Sequence, residues 1–163
     1  MTPSPRAPKT AFLALIRHAR ALPAGPMEPD SERALSAQGR ASFELQLARL
    51  ESMGFACDQL WTSPWKRARE TAELVGARLG IAPQIHAGLC NDLDTALAQE
   101  MLAKATGTAR TSRVLLVGHQ PWLSQLARGL GASGVRDLEC GEVLWLTERS
   151  EANWSCVARL YPS

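Results

Sequence analysis

The chain has 163 residues, of which 45% are hydrophobic and 21% are charged, as in ordinary globular proteins. Its formal net charge of +2 is too small to favour a nucleic acid or an anionic membrane as a partner. The apolar run Ala11–Ile16 is too short for a signal-peptide core or a membrane span. We therefore expect a mobile tail at residues 1–9 and a single domain at residues 10–163.

The four cysteines lie far apart in the sequence and do not resemble a metal site. None of them forms a Cys-x-x-Cys pair, and no Cys/His cluster has zinc spacing. Cys57 and Cys156 fall in predicted strands, where a buried, reduced thiol is the usual state. Reduced thiols favour a cytoplasmic protein. We expect neither a metal nor another cofactor.

The first predicted strand, Ala11–Ile16, ends abruptly at Arg17 and His18. An uninterrupted apolar run of this length is typical of a parallel strand that is covered on both faces. The two basic residues then lie at its carboxyl end, where open α/β sheets bind their ligands. Taken alone, the pattern equally fits a strand that stops at charged surface residues.

The remaining elements alternate between helices and strands. They are a helix at 37–52 with Ser36 as its N-cap, a strand at 55–61, a helix from Ser63-Pro64 to Gly80, a strand at 81–86, a helix at 95–105, a strand at 113–117, a helix from Pro121 to Gly131, and a terminal hairpin at 143–147 and 154–160. Such alternation predicts a three-layer α/β/α sandwich with a mainly parallel central sheet.

Basic residues stand at three predicted strand ends. Arg67 lies in the first turn of its helix, where the helix dipole disfavours a cation unless an anion binds there. His119 follows the strand at 113–117, and Arg33 precedes the helix at 37–52. Converging positive groups suit phosphoryl transfer, whose transition state spreads charge over three oxygens. For Arg67 and Arg33 the plain alternative is a solvated surface side chain.

Four motifs, in the right order and spacing, resemble the histidine phosphatase (phosphoglycerate-mutase-like) superfamily. The chain is most similar to the small SixA-type phosphohistidine phosphatases, over nearly its whole length after the tail. The matching segments are Leu15-Ile16-Arg17-His18-Ala19, Arg33-Ala34-Leu35-Ser36-Ala37-Gln38-Gly39, the stretch from Ser63 to Ala72, and Val117-Gly118-His119-Gln120-Pro121.

The resemblance implies that His18 is the nucleophile and is transiently phosphorylated on a ring nitrogen. It further implies that Arg17, Arg67, His119 and Arg33 bind the phosphoryl oxygens. His18 must be neutral to attack, and the neighbouring arginines are expected to lower its pKa. His119 fits either a charged clamp or a neutral donor.

One departure from the superfamily pattern concerns the general acid. Larger members carry a glutamate in the region matching residues 87–94, but the nearest position here is Gly88, which leaves Asp92 and Asp94 as candidate stand-ins. A missing acid handicaps phosphomonoester hydrolysis more than cleavage of the labile P–N bond of phosphohistidine. The departure therefore favours a phosphohistidine substrate.

These observations predict a metal-independent phosphatase that works through phospho-His18 on protein phosphohistidine. A small-molecule phosphomonoesterase of the same superfamily is the alternative within the same class. A non-catalytic module that binds phosphate or a phosphoprotein is the alternative from another class. Hydrolysis of a generic phosphomonoester would separate the enzymes from the binding module.

Overall fold

A computed structural model describes residues 11–90, 113–150 and 153–162, together with positions 96, 98, 100 and 103. Its strands are β1 (Phe12–Arg17), β2 (Gln59–Thr62), β3 (Gln84–Ile85), β4 (Arg113–Gly118), β5 (Val143–Ser150) and β6 (Asn153–Leu160). They form one sheet in the order β3-β2-β4-β1-β5-β6. The first four in that order run parallel, and β5 and β6 add an antiparallel hairpin at one edge.

The helices are α1 (Ala37–Ser52), α2 (Lys66–Leu79) and α3 (Trp122–Gly129). The bounds of α1 are those predicted, and the Ser36 side chain caps it by accepting a hydrogen bond from the Gly39 amide. Gly80 ends α2 in the left-handed conformation, with φ of 68°, which costs glycine little. No helix in the described part of the chain is long and apolar enough to cross a membrane.

Two apolar clusters cover the two faces of the sheet. Successive side chains of β1 point to opposite faces, so Leu13 and Leu15 join Trp122 of α3 in one cluster. Ala14 and Ile16 belong to the other cluster, which also holds buried residues of α1 and α2. Burial of a leucine or isoleucine contributes about 1.5–3 kcal/mol. The two clusters confirm the predicted three-layer sandwich with a mainly parallel sheet.

Some sequence predictions were wrong in detail. The second helix begins at Lys66 rather than at Ser63-Pro64, and the Ser63 hydroxyl accepts a hydrogen bond from the Trp65 amide before the helix starts. The predicted strands at 55–61 and 81–86 shorten to β2 and β3. Cys156 is exposed, because it lies on the edge strand β6 rather than in the core.

Several predictions fall outside the described residues. These are the tail at 1–9 and the two candidate acids, Asp92 and Asp94. Of the helix predicted at 95–105, the described positions are helical, and Ala98 among them is buried.

The strand register brings three chain segments to one edge of the sheet. Arg17 pairs with Gly118, so His18 and His119 emerge at the same level, and Thr62 pairs with Val117, so Ser63 lies one residue step before them. The His18 amide donates to the Gly118 carbonyl at 3.0 Å and so extends the ladder by one step. The residues that follow β1, β2 and β4 therefore adjoin.

Gly118, the last residue of β4, makes room for a large side chain. A Cβ added at this position would lie 2.1 Å from Cζ2 of Trp122. The indole therefore packs directly against the backbone where β4 ends, beneath the turn that carries His119. Trp122 is itself almost fully buried.

Candidate active site

The five basic residues predicted from the sequence line one cleft of about 270 Å³ at the carboxyl ends of β1, β2 and β4. These residues are Arg17, His18, Arg33, Arg67 and His119. They come from strand ends, from the loop before α1 and from the first turn of α2. The structure thus brings together positive groups that lie up to about a hundred residues apart in sequence.

The end of β1 is held by the loop that precedes β5. The Gly141 amide donates to the carbonyls of both Arg17 and His18 at 3.0 Å, and the Arg17 amide donates to the Glu142 carbonyl. The Arg17 guanidinium also donates through Nη1 to the Leu138 carbonyl at 2.8 Å. These contacts fix the backbone that carries His18, as a preorganised site requires.

The hydrogen bonds of His18 determine its tautomer. Nδ1 lies 2.7 Å from the Ala19 carbonyl, which can only accept, so Nδ1 carries the proton. Nε2 then has a free lone pair, and it accepts a hydrogen bond from Arg67 Nε at 3.1 Å. The Ala19 amide donates to Thr71 Oγ1, which ties this turn to α2. The nitrogen that faces Arg67 is therefore the one with the free lone pair.

The pKa of His18 is lowered from 6.5 to about 4. Burial is the largest cause, because it disfavours the charged imidazolium, and the nearby charges of Arg67, Arg17 and Arg33 lower the pKa further. The hydrogen bond to Ala19 acts in the opposite direction. The sequence predicted the correct direction, but it attributed the shift to the arginines alone. His18 is neutral at physiological pH.

His119 is held differently from His18. Its Nε2 lies 2.8 Å from Ser63 Oγ, and its Nδ1 is buried without a hydrogen-bond partner among the described residues. Its pKa is lowered to about 3, first by burial and then by the charges of His18 and Arg67. Of the two roles that the sequence left open, the low pKa favours a neutral donor over a charged clamp.

Sequence reasoning missed Asp30, which makes an ion pair with two of the cleft arginines. Its Oδ1 accepts from Arg33 Nη1 and its Oδ2 from Arg67 Nη2, both at 2.9 Å. Its backbone carbonyl also accepts from Arg67 Nη1 at 2.6 Å. The link to Arg67 spans 37 residues, so the only local signal was the separation of three residues between Asp30 and Arg33.

One further neighbour of Arg67, the ring of Trp65, was not among the residues predicted from the sequence. The guanidinium carbon lies 4.5 Å from the ring centroid of Trp65, within the range of a cation–π contact. The same ring lies 4.8 Å from that of His119.

Across the described ranges, no group of three or more His, Cys, Asp and Glu side chains is arranged to hold a metal ion.

Comparison with known sequences identifies a family and a relative. Residues 13–93 match the profile of the histidine phosphatase superfamily, branch 1. An uncharacterised protein of Picosynechococcus sp. (strain PCC 7002) is 35% identical over 121 residues, which cover 72% of each chain.

Solved structures share the fold at low sequence identity. The protein histidine phosphatase SixA in complex with tungstate superposes with a TM-score of 0.82 at 22% identity, covering 93% of this chain and 97% of that one. A mycobacterial glucosyl-3-phosphoglycerate phosphatase superposes with a TM-score of 0.69 at 15% identity, covering 91% and 98%. One of these proteins is named for a protein substrate and the other for a small molecule.

Proposed function

Because the chain belongs to the histidine phosphatase superfamily and is a phosphatase by that membership, we propose that it works through a phosphohistidine formed on Nε2 of His18. The observation that supports this atom most directly is the tautomer, since the Ala19 carbonyl holds the proton on Nδ1 and leaves the lone pair on Nε2. The low pKa of His18, about 4, keeps that lone pair available at neutral pH.

The proposed reaction has two displacements at phosphorus. In the first, His18 Nε2 forms a bond to phosphorus, and the bond to the leaving nitrogen or oxygen breaks with its electron pair. The leaving group then takes up a proton. In the second, water attacks phosphorus, and the P–Nε2 bond breaks with its electron pair returning to Nε2. The proton that the water loses passes to the phosphate, which leaves as inorganic phosphate. Arg67 Nε, which hydrogen-bonds His18 Nε2, must transfer its hydrogen bond to a phosphoryl oxygen before attack.

The positive cleft is proposed to stabilise the transferring group. Arg17, Arg33 and Arg67 supply guanidinium donors, and His119 supplies a neutral N–H. Fixed donors of this kind stabilise charge on the equatorial oxygens without reorganising during the reaction. No metal ion has a part in the proposed reaction.

We propose phosphohistidine on a protein as the substrate. Cleaving its P–N bond demands less of a general acid than cleaving a phosphoester, and Asp92 and Asp94 were the only acidic stand-ins in the region where larger relatives carry glutamate. SixA, a protein histidine phosphatase, shares the fold over nearly the whole chain. The four free cysteines fit the reducing cytoplasm, where we propose that the protein acts.

A small-molecule phosphomonoesterase is the second candidate function. The observation that favours it is the fold shared with glucosyl-3-phosphoglycerate phosphatase. A phosphate-binding module without turnover is the third candidate. The three functions make different predictions for the same set of substrates.

The deciding experiment measures kcat/KM on a phosphorylated histidine-carrying protein, on p-nitrophenyl phosphate and on a sugar phosphate. We expect the first substrate to be strongly preferred, and Asp92→Asn and Asp94→Asn each to lower its turnover by less than about tenfold. A preference for the sugar phosphate would replace the phosphohistidine proposal with the esterase. A loss of about 1000-fold in either variant, on phosphoesters and phosphohistidine alike, would make that aspartate the proton donor and remove the chemical argument for a phosphohistidine preference. Binding of phosphate without hydrolysis of any substrate would leave only the module.

A further inference from the structure

Asp30 lies at the junction of the two arginines that enter the cleft from different elements. Arg33 comes from the loop before α1 and Arg67 from the first turn of α2, and Asp30 gives one carboxylate oxygen to each of them at 2.9 Å. The carboxylate thereby joins two guanidinium groups that would otherwise repel one another.

The hydrogen bonds of Arg67 show how Asp30 orients the Arg67 guanidinium. Nη1 donates to the Asp30 carbonyl, Nη2 donates to the Asp30 carboxylate, and Nε donates to His18 Nε2. The guanidinium is planar, so fixing both Nη atoms on one side also fixes the direction of Nε. Asp30 therefore aims Nε at the nitrogen that we propose to be the nucleophile.

Burial makes a counter-charge for Arg67 necessary. Arg67 is only 5% exposed, and burial lowers its pKa, while the hydrogen bond and the charge of Asp30 act to raise it. A buried guanidinium without a partner is costly, so the side chain would turn toward water if the carboxylate were lost. Arg33 has less need of such a partner, because its side chain is 27% exposed.

Asp30 is a poor candidate for the missing general acid. The hydrogen bond from Arg33, together with the hydrogen bond and charge of Arg67, lowers its pKa below the ordinary value for aspartate. Both carboxylate oxygens accept hydrogen bonds from arginine, which leaves the ionised form as the one that fits. An ionised carboxylate has no proton to give to a leaving group.

We propose that Asp30 is a positioning residue that sets Arg67 and Arg33 as a single phosphoryl-binding clamp. This inference rests on the proposed function only where it concerns turnover. The geometry that it concerns is that of the Asp30, Arg33 and Arg67 side chains, and it is tested by the binding of an oxyanion as well as by turnover.

The first test is the affinity for tungstate, measured by titration calorimetry on the full chain. Asp30→Asn keeps the size of the side chain and removes its charge, so it should weaken tungstate binding and lower kcat/KM, each by about 10- to 100-fold, as expected when the support of a binding group is lost. Asp30→Glu restores the charge and should recover part of both losses. Glu32→Gln, an exposed carboxylate in the same short turn, is the matched control and should stay within about twofold of wild type.

The second test asks whether Asp30 acts through Arg67. In an Arg67→Ala background, Asp30→Asn should lower kcat/KM by no more than about threefold, because the more deeply buried of the two arginines that it positions is gone and Arg33 has less need of a partner. Thermal unfolding of each variant separates a local change from loss of the fold. Asp30 is largely exposed, so we expect the variants to fold as wild type does.

Three results would overturn the proposal. Unchanged tungstate affinity in Asp30→Asn would show that Asp30 does not position the clamp. Tighter binding would show that its carboxylate competes with the ligand for the arginines. An equal loss of kcat/KM in the Arg67→Ala background would show that Asp30 acts directly. A wild-type protein that binds tungstate but hydrolyses no substrate would remove the proposed function and leave the binding test valid.

Discussion

The two histidines of the cleft follow neighbouring strands, and their rings lie 5.2 Å apart, yet they are held in opposite ways. His18 fixes Nδ1 on a backbone carbonyl and turns Nε2 toward Arg67, whereas His119 uses Nε2 to contact the Ser63 hydroxyl. A carbonyl accepts only, while a hydroxyl both donates and accepts. The tautomer of His18 is therefore dictated by the backbone, and that of His119 is left adjustable. The same sheet edge thus holds two similar side chains through different ring nitrogens.

The largest expected effect comes from replacing one of these two histidines. His18→Ala should lower turnover by at least about 10⁴-fold, since a nucleophile cannot be replaced by its neighbours, whereas His119→Ala should leave measurable turnover. Radiolabelled phosphate should be trapped on the wild type in an acid-labile, base-stable form, and also, at lower rate, on His119→Ala. A labelled His18→Ala protein would show that the nucleophile is elsewhere.

The next largest expected effect is that of replacing Arg67, which donates a hydrogen bond to His18. Arg67→Ala should lower kcat/KM by about 10²–10³-fold on every substrate, because a preorganised charge is lost from the transition state. Arg20→Ala changes a cleft-lining arginine that is not among the proposed phosphoryl ligands and serves as the control. An equally large loss in Arg20→Ala would mean that positive charge in the cleft, rather than the geometry of Arg67, determines the rate.

Acid titration distinguishes the two histidines, because they gain protons in different pH ranges. Both are neutral in the fold, with pKa values of about 4 for His18 and about 3 for His119, while in the unfolded chain they titrate near the ordinary histidine pKa of 6.5. Below that value the unfolded state binds protons that the folded state does not. The free energy of unfolding should therefore fall with decreasing pH, by at most about 1.4 kcal/mol per pH unit for each histidine.

Denaturant titrations between pH 7 and pH 3.5 measure this slope. The contribution of His18 should be complete at about pH 4, while that of His119 should continue to lower pH. His18→Asn and His119→Asn should each flatten the profile below pH 6.5 and leave it unchanged above that pH. A profile that is flat for the wild type would contradict the neutral, buried state of both rings.

The smallest expected effect comes from removing the Ser63 hydroxyl, which contacts His119 Nε2. Ser63→Ala removes the hydrogen bond with His119 and the one accepted from the Trp65 amide, each worth about 0.5–1.5 kcal/mol, and should lower kcat/KM by about two- to tenfold. The pH at which His18 titrates should not move, because its own hydrogen bond to Ala19 is untouched. A shift in the acid limb of kcat/KM would show that Ser63 acts on both histidines.

The parts of the fold and cleft that could be predicted from the sequence are those with local causes. The buried strands, the helix from Ala37 with its Ser36 cap and the end of the second helix at Gly80 all follow from short patterns. The convergence of His18 and His119 follows from the rule that parallel strands meet their ligands at one edge.

The parts that were missed depend on contacts between distant segments. Ser63 has the residue type and position of a helix cap, yet its hydroxyl instead lies against His119, 56 residues away. Asp30 is one carboxylate in a Pro/Gly-rich loop, and its partner Arg67 is identified only once that loop has folded onto α2. The carbonyl of Ala19 could not be predicted as a partner of His18, because every residue offers the same carbonyl and only the turn geometry selects it.

The close packing of Gly118 against Trp122 limits the order in which this part of the protein can evolve. A methyl group at residue 118 would occupy the space of the indole, 2.1 Å from its ring. A lineage that acquires alanine first passes through an overpacked protein, about 1–3 kcal/mol less stable. A lineage that first replaces the tryptophan with a smaller side chain passes through a cavity instead, which costs about 3–5 kcal/mol if the replacement is alanine. Either path crosses a less stable intermediate, so the two residues should be inherited as a pair.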